Sequence, residues 1–511
     1  METLYLYLPL LIIALHILTN RILHKLQNLP PTPFPSLPFI GHLYLIKKPI
    51  YKSLSNLAKQ YGPVISLNLG CVPAVVVSSP SAVEECLVKN DIIFANRPKT
   101  LNAKYAGYNY TSLIWTSYGE HWRNIRRISS LELLSSNRIQ LLSDIRVDEV
   151  RSLIRKLSRT ASSTQSSAHD MKSSCFDVSF NVITRMIAGK RYYGGDMNAE
   201  ESGEAKAFHE IISQAAKLNP KVMVLDFLPF MRWFGLNGVE KEMKNIQERR
   251  DKFMQSLIDE IRSNFTESSG KKKTMMGTLL TLQQQEPDYY SDETIKSLML
   301  ALLQAGSDTT ATTMEWGMAH LIDNPDVLKK AQSEIDSIVA GQERLILESD
   351  LASLPHIRCI INETLRLHPP APLLLPHEAS QDCMVGGFKI RDGTLLFVNI
   401  WDIQRNPKYW DDPEKFIPER FEGSEIIGGG GKEGLKFLPF GLGRRGCPGN
   451  NLAIHILGFA LGSLIQCFNW EMEDGKAMDL TEGLGIPISK AQPLVAKCLP
   501  RPNMQKLLSS L

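Results

Sequence analysis

The stretch that decides the fold is Phe440-Gly-Leu-Gly443-Arg-Arg445-Gly-Cys447-Pro-Gly449, which brings a cysteine, arginines and several glycines together. A cysteine binds a metal ion as its thiolate, although a free thiol has a pKa of about 8.5. The sulfur therefore needs backbone N–H groups that point towards it, and glycines let the backbone come close. A helical pattern from Asn451 to Leu464 begins just after Cys447, so its N-terminus also favours the anion. The segment predicts a metal-binding thiolate rather than an incidental cysteine in a glycine-rich turn.

The same segment resembles the haem-binding loop of the cytochrome P450 family, whose pattern is Phe-x-x-Gly-x-Arg-x-Cys-x-Gly. The resemblance implies that Cys447 is the axial ligand of haem b (iron protoporphyrin IX). It also implies that Phe440 shields the sulfur from water and that Arg445 faces a haem propionate. Gly443 and Gly449 are expected to give the loop its freedom to approach the sulfur.

A second motif, Ala305-Gly306-Ser-Asp308-Thr309-Thr310, lies in a predicted helix that begins at Ser291 and ends near Ile322. This helix is apolar from Leu298 to Gly306 except at Gln304, which predicts burial at the centre of the molecule. An acid and an alcohol in a buried helix are costly unless they are paired or used. The resemblance implies that Asp308 and Thr309 relay protons during dioxygen activation, and that Gly306 leaves space for dioxygen.

A third motif is Glu363-Thr-Leu-Arg366, whose spacing places the two charged side chains on one face of a helix. Most isolated pairs of this kind lie on the surface and contribute little. The resemblance adds Arg420 as the third member of a buried network that fixes the core near the cysteine. The predicted role of this network is structural.

Three further residues complete the expected haem site. Trp122 and Arg126, in Trp122-Arg-Asn-Ile-Arg126, carry hydrogen-bond donors of the kind that propionates require. His377 matches a family position that also contacts a propionate, with a histidine in a surface loop as the alternative. A basic patch on the cysteine side is predicted to attract an acidic partner, the NADPH–cytochrome P450 reductase; it comprises Arg123, Arg126, Arg127, Lys436 and Arg444.

Composition sets the broad class. The chain has 511 residues, of which 43% are hydrophobic and 22% are charged, and its eight cysteines form no CxxC pair. This indicates a globular protein with reduced thiols. The net charge of +3 comes without any nucleic-acid-binding signature, so no nucleic acid partner is expected. Helical patterns dominate, and strand-like runs such as Val75–Ser78 and Leu395–Asn399 are short. The predicted fold class is mainly α with a small β region, as in the P450 fold.

The N-terminal segment predicts a membrane anchor. Residues 3–20 carry no Asp, Glu, Lys or Arg, and eighteen helical residues span about 27 Å, close to the hydrocarbon core of a bilayer. Arg21 and Lys25 follow and favour a cytosolic catalytic domain. A proline-rich hinge comes next. The predicted organisation is an anchor at residues 1–24, a hinge at 25–42 and one haem-thiolate domain at 43–511, on the endoplasmic reticulum membrane with a single pass.

The expected activity is insertion of one oxygen atom from O2 into a small apolar or phenolic plant metabolite, with electrons from NADPH through the reductase. The C-terminal run Asp479-Leu-Thr-Glu-Gly-Leu-Gly resembles the plant group of isoflavone hydroxylases and methylenedioxy-bridge-forming lignan enzymes. Ring hydroxylation and methylenedioxy-bridge closure both stay open as the reaction, and the pair of Asp308 and Thr309 favours hydroxylation. Two alternatives are a haem-thiolate isomerase or dehydratase that needs no reductase, and a haem carrier or sensor without turnover.

Overall fold

The structure is a computed structural model that describes residues 24–161, 168–194, 199–234, 237–263, 274–340, 342–423, 434–473 and 476–511, with a few isolated positions before residue 24. The predicted anchor at residues 3–20 lies for the most part outside the described residues, and the boundary at residue 24 stays a prediction. Within the described part, the helix Asn450–Cys467 is long and apolar enough to cross a membrane by length and composition only. Most of it is buried inside the protein, as in a core helix.

Helices form most of the described chain, as the sequence predicts. The α-helices are Ile50–Tyr61, Pro80–Glu84, Leu101–Tyr105, Glu120–Ile128, Ser136–Leu141, Ser143–Ala161, Met171–Ala188, Ala199–Phe227, Asn237–Ser263, Met275–Gln285, Asp292–Asp323, Pro325–Ile338, Pro355–Leu367, Ile400–Ile403, Asn450–Cys467 and Gln505–Ser510. Short 3-10 helices lie at Leu43–Leu45, Ile93–Ala95, Pro229–Phe234, Glu348–Ser353, Pro418–Phe421, Gly434–Lys436 and Pro502–Met504, and π-helical turns at Glu85–Lys89 and Ser129–Leu133.

The β region is small and divides into three sheets among the described residues. The first has the strand order β1-β2-β7-β4, from Val64–Leu69, Val72–Val77, Leu395–Val398 and His377–Glu378. Its β2 and β7 are parallel, and the other pairs are antiparallel. The second has the order β3-β9-β8, from His169–Asp170, Val495–Pro500 and Phe468–Met472, and the third is a hairpin of β5 (Cys383–Val385) and β6 (Phe388–Ile390). The predicted strands correspond to β2 and β7 with shifted boundaries.

The helix Asp292–Asp323, called the central helix below, crosses the core. It begins where the sequence predicts, because the Ser291 side chain accepts a hydrogen bond from the Thr294 N–H (3.3 Å) and caps the first turn. It packs along the helix Met171–Ala188 and against Asn450–Cys467. The predicted burial from Leu298 to Gly306 holds for most of the segment but is wrong for Ala305, which is exposed. One face of a buried helix is therefore open in its middle.

The proline-rich hinge is fixed to the first sheet. The carbonyl of Pro31 accepts a hydrogen bond from the Ser66 N–H of β1 (2.9 Å). His42 is buried and joins the two segments, because its Nε2 donates to the Pro33 carbonyl (2.9 Å) and its Nδ1 accepts from the Asn68 N–H (2.8 Å). The hinge is therefore docked on the body of the protein, which fits the stiffness expected of its prolines.

Candidate active site

The segment Phe440–Gly449, called the Cys447 loop below, folds back on itself immediately before a core helix. The Cys447 N–H donates to the Phe440 carbonyl (2.8 Å), and the Gly446 N–H donates to the Gly443 carbonyl (3.1 Å). The helix Asn450–Cys467 begins directly after Gly449, as predicted. Its first turn is thus close to the sulfur, where the helix dipole stabilises negative charge.

The Cys447 sulfur lies deep in the protein but is not sealed. Burial raises the pKa of the Cys447 thiol, while the Gly449 backbone N–H and the charge of Arg126 lower it. The residue as a whole is nevertheless solvent-exposed, so the protein does not enclose it completely. Bound metal ions remove the proton of a coordinating thiol outright. An accessible cysteine with a backbone N–H that donates to its sulfur is suited to that role.

Gly443 has a different role from the one predicted. Its φ of +69° is in the left-handed region, and a Cβ there would lie 2.5 Å from Asp91 Oδ1 and 2.6 Å from the Leu87 carbonyl oxygen. The missing side chain therefore lets the loop pack against the segment that contains Leu87 and Asp91. It is Gly449 whose backbone approaches the sulfur, since a Cβ there would be 3.9 Å from Cys447 Sγ.

Three guanidinium groups gather beside the Cys447 loop. Arg445 donates from Nε to the Ala95 carbonyl (2.7 Å) and stacks over the Trp122 ring at 4.6 Å. Its pKa falls to about 9, first because of burial and then because of the charges of Arg97 and Arg126. Arg126 in turn acts on Cys447. The predicted residues Trp122, Arg126 and Arg445 are thus brought together, in a region rich in positive charge.

Arg97 also belongs to this cluster, although no motif in the sequence marks it. Its Nη1 donates to the carbonyls of Leu375 and Pro376 (2.8 Å each), and burial lowers its pKa to about 10. Its Nε has no hydrogen-bond partner among the described residues. Buried cations that repel each other need an anion. The sequence signal, an arginine between Asn96 and Pro98, is too short to stand out.

His377 is buried at 3% exposure, which rules out a histidine in a surface loop. Its Nδ1 lies 2.7 Å from the Phe94 carbonyl oxygen and must donate to it, since a carbonyl only accepts. The pKa of His377 lies well below its usual range because of burial and the charges of Arg97 and Arg445. The His377 ring is therefore neutral, with Nε2 unprotonated. It can donate a hydrogen bond to a propionate through Nε2 only if that anion raises the pKa of the ring.

The acid and alcohol of the central helix lie on its partly open stretch. Thr309 Oγ1 donates to the Ala305 carbonyl (2.6 Å), as expected of a threonine one turn on in a helix. Asp308 and Thr309 are both half-buried, and Ala305 beside them is exposed. The Ala305 carbonyl thus accepts a hydrogen bond from the Thr309 hydroxyl in addition to its helical hydrogen bond. The Thr309 hydroxyl hydrogen is therefore fixed in direction, while the hydroxyl oxygen can still accept a hydrogen bond.

The expected role of Gly306 needs correction. A Cβ on Gly306 would lie 2.9 Å from Ile183 Cδ1, on the neighbouring helix Met171–Ala188. The missing side chain therefore allows two helices to pack closely and does not face a space for dioxygen. The small exposed residue at this level of the helix is Ala305.

Glu363 and Arg366 form the buried pair that the spacing predicts. Arg366 donates to both carboxylate oxygens of Glu363 (2.7 and 2.8 Å), and both side chains are fully buried. Arg420 Nε approaches the same carboxylate at 3.3 Å, and the Ile417 N–H donates to it at 2.8 Å. Gln404 connects this network to the segment just before the Cys447 loop, because its Oε1 accepts a hydrogen bond from the Leu438 N–H (2.9 Å) and its Nε2 donates to the Arg366 carbonyl (3.0 Å).

The predicted basic patch is smaller than expected. Arg123, Arg127 and Arg444 are exposed, and Arg123 and Arg444 lie over the same Tyr118 ring at 5.6 and 5.5 Å. Arg126, by contrast, turns inward to Cys447. Lys436 is half-buried and lies over a tryptophan ring. Exposed cations thus remain on the surface next to the Cys447 loop, although fewer than the sequence suggested.

The residues around Cys447 fit a haem. The accessible Cys447 can hold the iron, and the buried Arg97, whose Nε has no hydrogen-bond partner among the described residues, can hold carboxylates together with the half-buried Arg126 and Arg445. Without such anions the cluster of Arg97, Arg126 and Arg445 would consist of mutually repelling charges. The donor set therefore matches a planar group that carries a metal at its centre and acids at its edge.

Comparison with known proteins agrees with this geometry. The sequence model of the cytochrome P450 family matches residues 30–495. The isoflavone 2'-hydroxylase of Glycyrrhiza echinata is 44% identical over 97% of this chain and 97% of its own length. The (+)-piperitol/(+)-sesamin synthase of Sesamum radiatum is 43% identical over 95% of this chain and 93% of its own. Among solved structures, a zebra fish cytochrome P450 with progesterone superposes with a TM-score of 0.76 at 26% identity, covering 89% of this chain and 100% of that one.

Proposed function

The chain belongs to the cytochrome P450 family and is a haem monooxygenase, and from that premise we propose that it hydroxylates the ring of a small phenolic plant metabolite of the isoflavone kind. The observation that carries the proposal is the Cys447 loop, with its accessible cysteine and the cluster of Arg97, Arg126 and Arg445 beside it. The named activity of the isoflavone 2'-hydroxylase supports the choice of substrate class. When bound, the haem supplies the activation of dioxygen and the transfer of one oxygen atom.

The cofactor is proposed to be haem b, held without a covalent link. Cys447 would bind the iron, with the Gly449 N–H donating to its sulfur. Arg97, Arg126 and Arg445 would bind the propionates, and Trp122 packs under Arg445 to hold that guanidinium in place. The sequence contains no Cys-x-x-Cys-His segment of the kind that attaches haem covalently.

Asp308 and Thr309 are proposed to manage protons on the substrate side. The Thr309 hydroxyl donates to the Ala305 carbonyl, which leaves its oxygen able to accept a hydrogen bond from water. Asp308 is half-buried beside it and can exchange protons with the exterior. A hydroxyl that is fixed in position delivers protons to one place. Electrons are then used to form product, because a proton delivered elsewhere would release reduced oxygen instead.

Electrons are proposed to come from NADPH through a cytochrome P450 reductase on the surface near Arg123, Arg127 and Arg444. These exposed guanidinium groups lie next to the Cys447 loop, which shortens the path to the haem. Residues 1–24 are proposed to anchor the chain in the endoplasmic reticulum with the catalytic domain in the cytosol. The docked hinge would then hold the domain at a defined height above the membrane.

A second candidate is methylenedioxy-bridge formation, favoured by the similarity to (+)-piperitol/(+)-sesamin synthase. The two reactions are distinguished by incubating microsomes that contain the full chain and a reductase with an isoflavone and, separately, with a methoxyphenol lignan. Hydroxylation adds one oxygen atom to the product, whereas bridge closure removes two hydrogen atoms. Product formation without NADPH would instead indicate an isomerase or dehydratase, and haem binding without NADPH use on any substrate would indicate a carrier.

A further inference from the structure

Arg250, on the helix Asn237–Ser263, is a buried cation without a counter-ion among the described residues. It is only 6% exposed, and its Nε has no hydrogen-bond partner in that part of the chain. Burial lowers the pKa of Arg250 to about 10, and the Tyr108 hydroxyl offsets this fall only in part. A buried charge without a partner costs free energy. A guanidinium placed in this way therefore needs an acceptor that the protein itself does not supply.

The other buried arginines of the described chain show what Arg250 lacks. These are Arg97, Arg146 and Arg366. Arg146 and Arg366 each hold a glutamate carboxylate through two hydrogen bonds. Arg97 donates to two carbonyls and is proposed to bind a haem propionate. Arg250 shares the unpartnered Nε of Arg97 but lies on a different helix, away from the Cys447 loop, so the haem does not account for it.

The next residue in the chain, Asp251, does not serve as the counter-ion of Arg250. Its carboxylate pairs instead with Lys296 of the central helix, at 2.6 Å. Burial is the first cause of the lowered pKa of Arg250, and no acid acts on that pKa in the opposite direction. The charge of the guanidinium thus stays uncompensated although a carboxylate is adjacent in the sequence.

Two more buried polar atoms without a partner lie beside Arg250. Gln247 is three residues earlier and so shares the helix face of Arg250, and its Oε1 has no hydrogen-bond partner among the described residues. The same is true of the hydroxyl of Tyr108, a residue that acts on the pKa of Arg250 and is itself acted on by Gln247. Burial raises the pKa of Tyr108 above its usual range, so the hydroxyl keeps its proton and can donate.

The three groups together select one kind of ligand atom. The Arg250 guanidinium and the Tyr108 hydroxyl donate hydrogen bonds, whereas Gln247 Oε1 accepts one. A carboxylate or a ketone oxygen would accept from the two donors but would leave Gln247 Oε1 without a donor. A phenolic hydroxyl both accepts and donates, so it satisfies all three.

This cluster lies along the central helix but not at the level of Thr309. The helix Asn237–Ser263 packs against the central helix, and the contact of Asp251 with Lys296 marks the level of the cluster. Lys296 is thirteen residues before Thr309, which is about 20 Å along the helix axis. A hydroxyl at Arg250 therefore belongs either to the far end of an elongated substrate or to a separate phenol molecule.

We propose that Arg250, Gln247 and Tyr108 form a binding site for a phenolic hydroxyl, called the phenol site below. Arg250 contributes the charge-assisted hydrogen bond and hence most of the selectivity. The phenol site contacts the ligand away from the oxidised atom, so its residues determine which ligand binds and take no part in the oxidation. The inference rests on the proposed function and deepens it, because it names the group of the phenolic ligand that the chain recognises.

The first measurement is thermal unfolding of the full-length, haem-loaded protein without ligand. Arg250→Leu should unfold at the temperature of the wild type or above it, because an apolar side chain replaces an unpaired buried charge. Arg249→Leu is the matched control on the same helix, since Arg249 is half-buried and already donates to Gln214 (2.7 Å). A clear fall in the unfolding temperature of Arg250→Leu alone would overturn the inference, because Arg250 would then support the fold.

The second measurement compares two probes that differ by one hydroxyl, 7-hydroxyisoflavone and isoflavone, by the spectral shift of the haem on binding. Arg250→Leu should bind 7-hydroxyisoflavone at least about tenfold more weakly, because a charge-assisted hydrogen bond is lost, and should bind isoflavone like the wild type. Arg249→Leu should leave both affinities unchanged. The bound 7-hydroxyisoflavone should also ionise at a lower pH in the wild type than in Arg250→Leu, because the guanidinium stabilises the phenolate.

A second pair of probes, p-cresol and toluene, distinguishes the two sources of the hydroxyl. If p-cresol but not toluene raises the unfolding temperature of the wild type, and Arg250→Leu loses this effect while its affinity for 7-hydroxyisoflavone is unchanged, the phenol site takes a separate molecule. If no phenol depends on Arg250, the guanidinium binds only water and the inference is wrong. If Arg250→Leu does not load haem, Arg250→Gln replaces it and should weaken 7-hydroxyisoflavone alone; loss of haem by both variants would make Arg250 structural and overturn the inference.

Failure of the proposed function gives a different result. A wild-type protein that binds 7-hydroxyisoflavone through Arg250 but forms no product with NADPH and reductase would exclude the proposed hydroxylation and leave the phenol site standing. A wild-type protein that binds neither isoflavone would exclude the proposed substrate class. The comparison of p-cresol with toluene, which needs no haem signal, would then decide the phenol site by itself.

Discussion

Glu363→Ala should cause this protein to lose its haem site through instability of the core. In the structure the Glu363 carboxylate accepts two hydrogen bonds from Arg366, one from the Ile417 N–H and one from Arg420, with the Glu363–Arg366 pair fully buried. Breaking a buried ion pair on one side costs about 3–5 kcal/mol, and an orphaned buried N–H adds about 1–3 kcal/mol. In the variant, Arg366 would keep its hydrogen bonds to the carbonyls of Gln404 and Pro413, which favours the lower end of this range of energies.

The expected loss is therefore about 5 kcal/mol, which is comparable to the whole free energy of unfolding of a marginally stable domain. The assay is the carbon monoxide difference spectrum of the reduced protein together with a denaturant titration. Glu419→Ala is the matched control, because Glu419 pairs with Lys330 at the surface, where both side chains are over 40% exposed. Such a pair contributes at most about 1 kcal/mol.

The two variants should differ sharply. Glu363→Ala should give little or no thiolate-type band and a large shift of the unfolding midpoint, while Glu419→Ala should resemble the wild type. A full band and an unchanged midpoint in Glu363→Ala would refute the reasoning, since the network would then contribute nothing that the surrounding packing does not supply. Glu363→Asp should give an intermediate result, because its shorter side chain cannot reach Arg366 and Ile417 together.

Four further outcomes are expected. Cys447→Ala should abolish the red-shifted carbon monoxide band of the reduced protein, and persistence of that band would place another ligand on the iron. Thr309→Ala should keep the band but divert electrons to peroxide, measured as NADPH consumed per product formed; unchanged coupling would show that the hydroxyl carries no proton. Arg97→Leu should speed haem transfer to apomyoglobin about tenfold or more, because a charge-assisted hydrogen bond is lost, and an unchanged rate would remove Arg97 from the propionate site. Arg123→Glu should raise the reductase concentration for half-maximal turnover and weaken the salt dependence of the rate, whereas an unchanged salt dependence would exclude this surface.

The parts of the fold that the sequence predicts well are those with short-range causes. The cap at Ser291, the start of a helix after Gly449 and the pairing of Glu363 with Arg366 each depend on residues within one helical turn. The spacing alone places these groups together, so no knowledge of distant contacts is needed. The same holds for the Cys447 loop, whose glycine and cysteine pattern is dense enough to be recognised.

The parts that the sequence could not predict depend on contacts between distant segments. Tyr51 and Glu482 are 431 positions apart in the chain, and Arg97 meets Arg445 only because the segment after Phe94 folds under the Cys447 loop. The expectation that Gly306 leaves space for dioxygen is wrong for the same reason. Its position in the motif is a local property, but the side chain it would meet, Ile183, belongs to another helix.

Two distant segments of the chain are connected through the end of one helix. The last carbonyls of a helix have no partner within it and must bond elsewhere. At the end of the helix Pro355–Leu367, Gln404 donates to the carbonyls of Leu365 and Arg366, and Arg405 donates to that of Leu367 (2.7 Å).

Gln404 and Arg405 are adjacent in the chain but hold different segments. Gln404 accepts a hydrogen bond from the Leu438 N–H, just before the Cys447 loop, while Arg405 donates to the buried Glu482 carboxylate between β8 and β9. A disturbance at this helix end should therefore loosen both segments together. Arg366, the partner of Glu363, lies in the last turn of the same helix, and for this reason the Glu363→Ala variant should be assayed for haem retention as well as for stability.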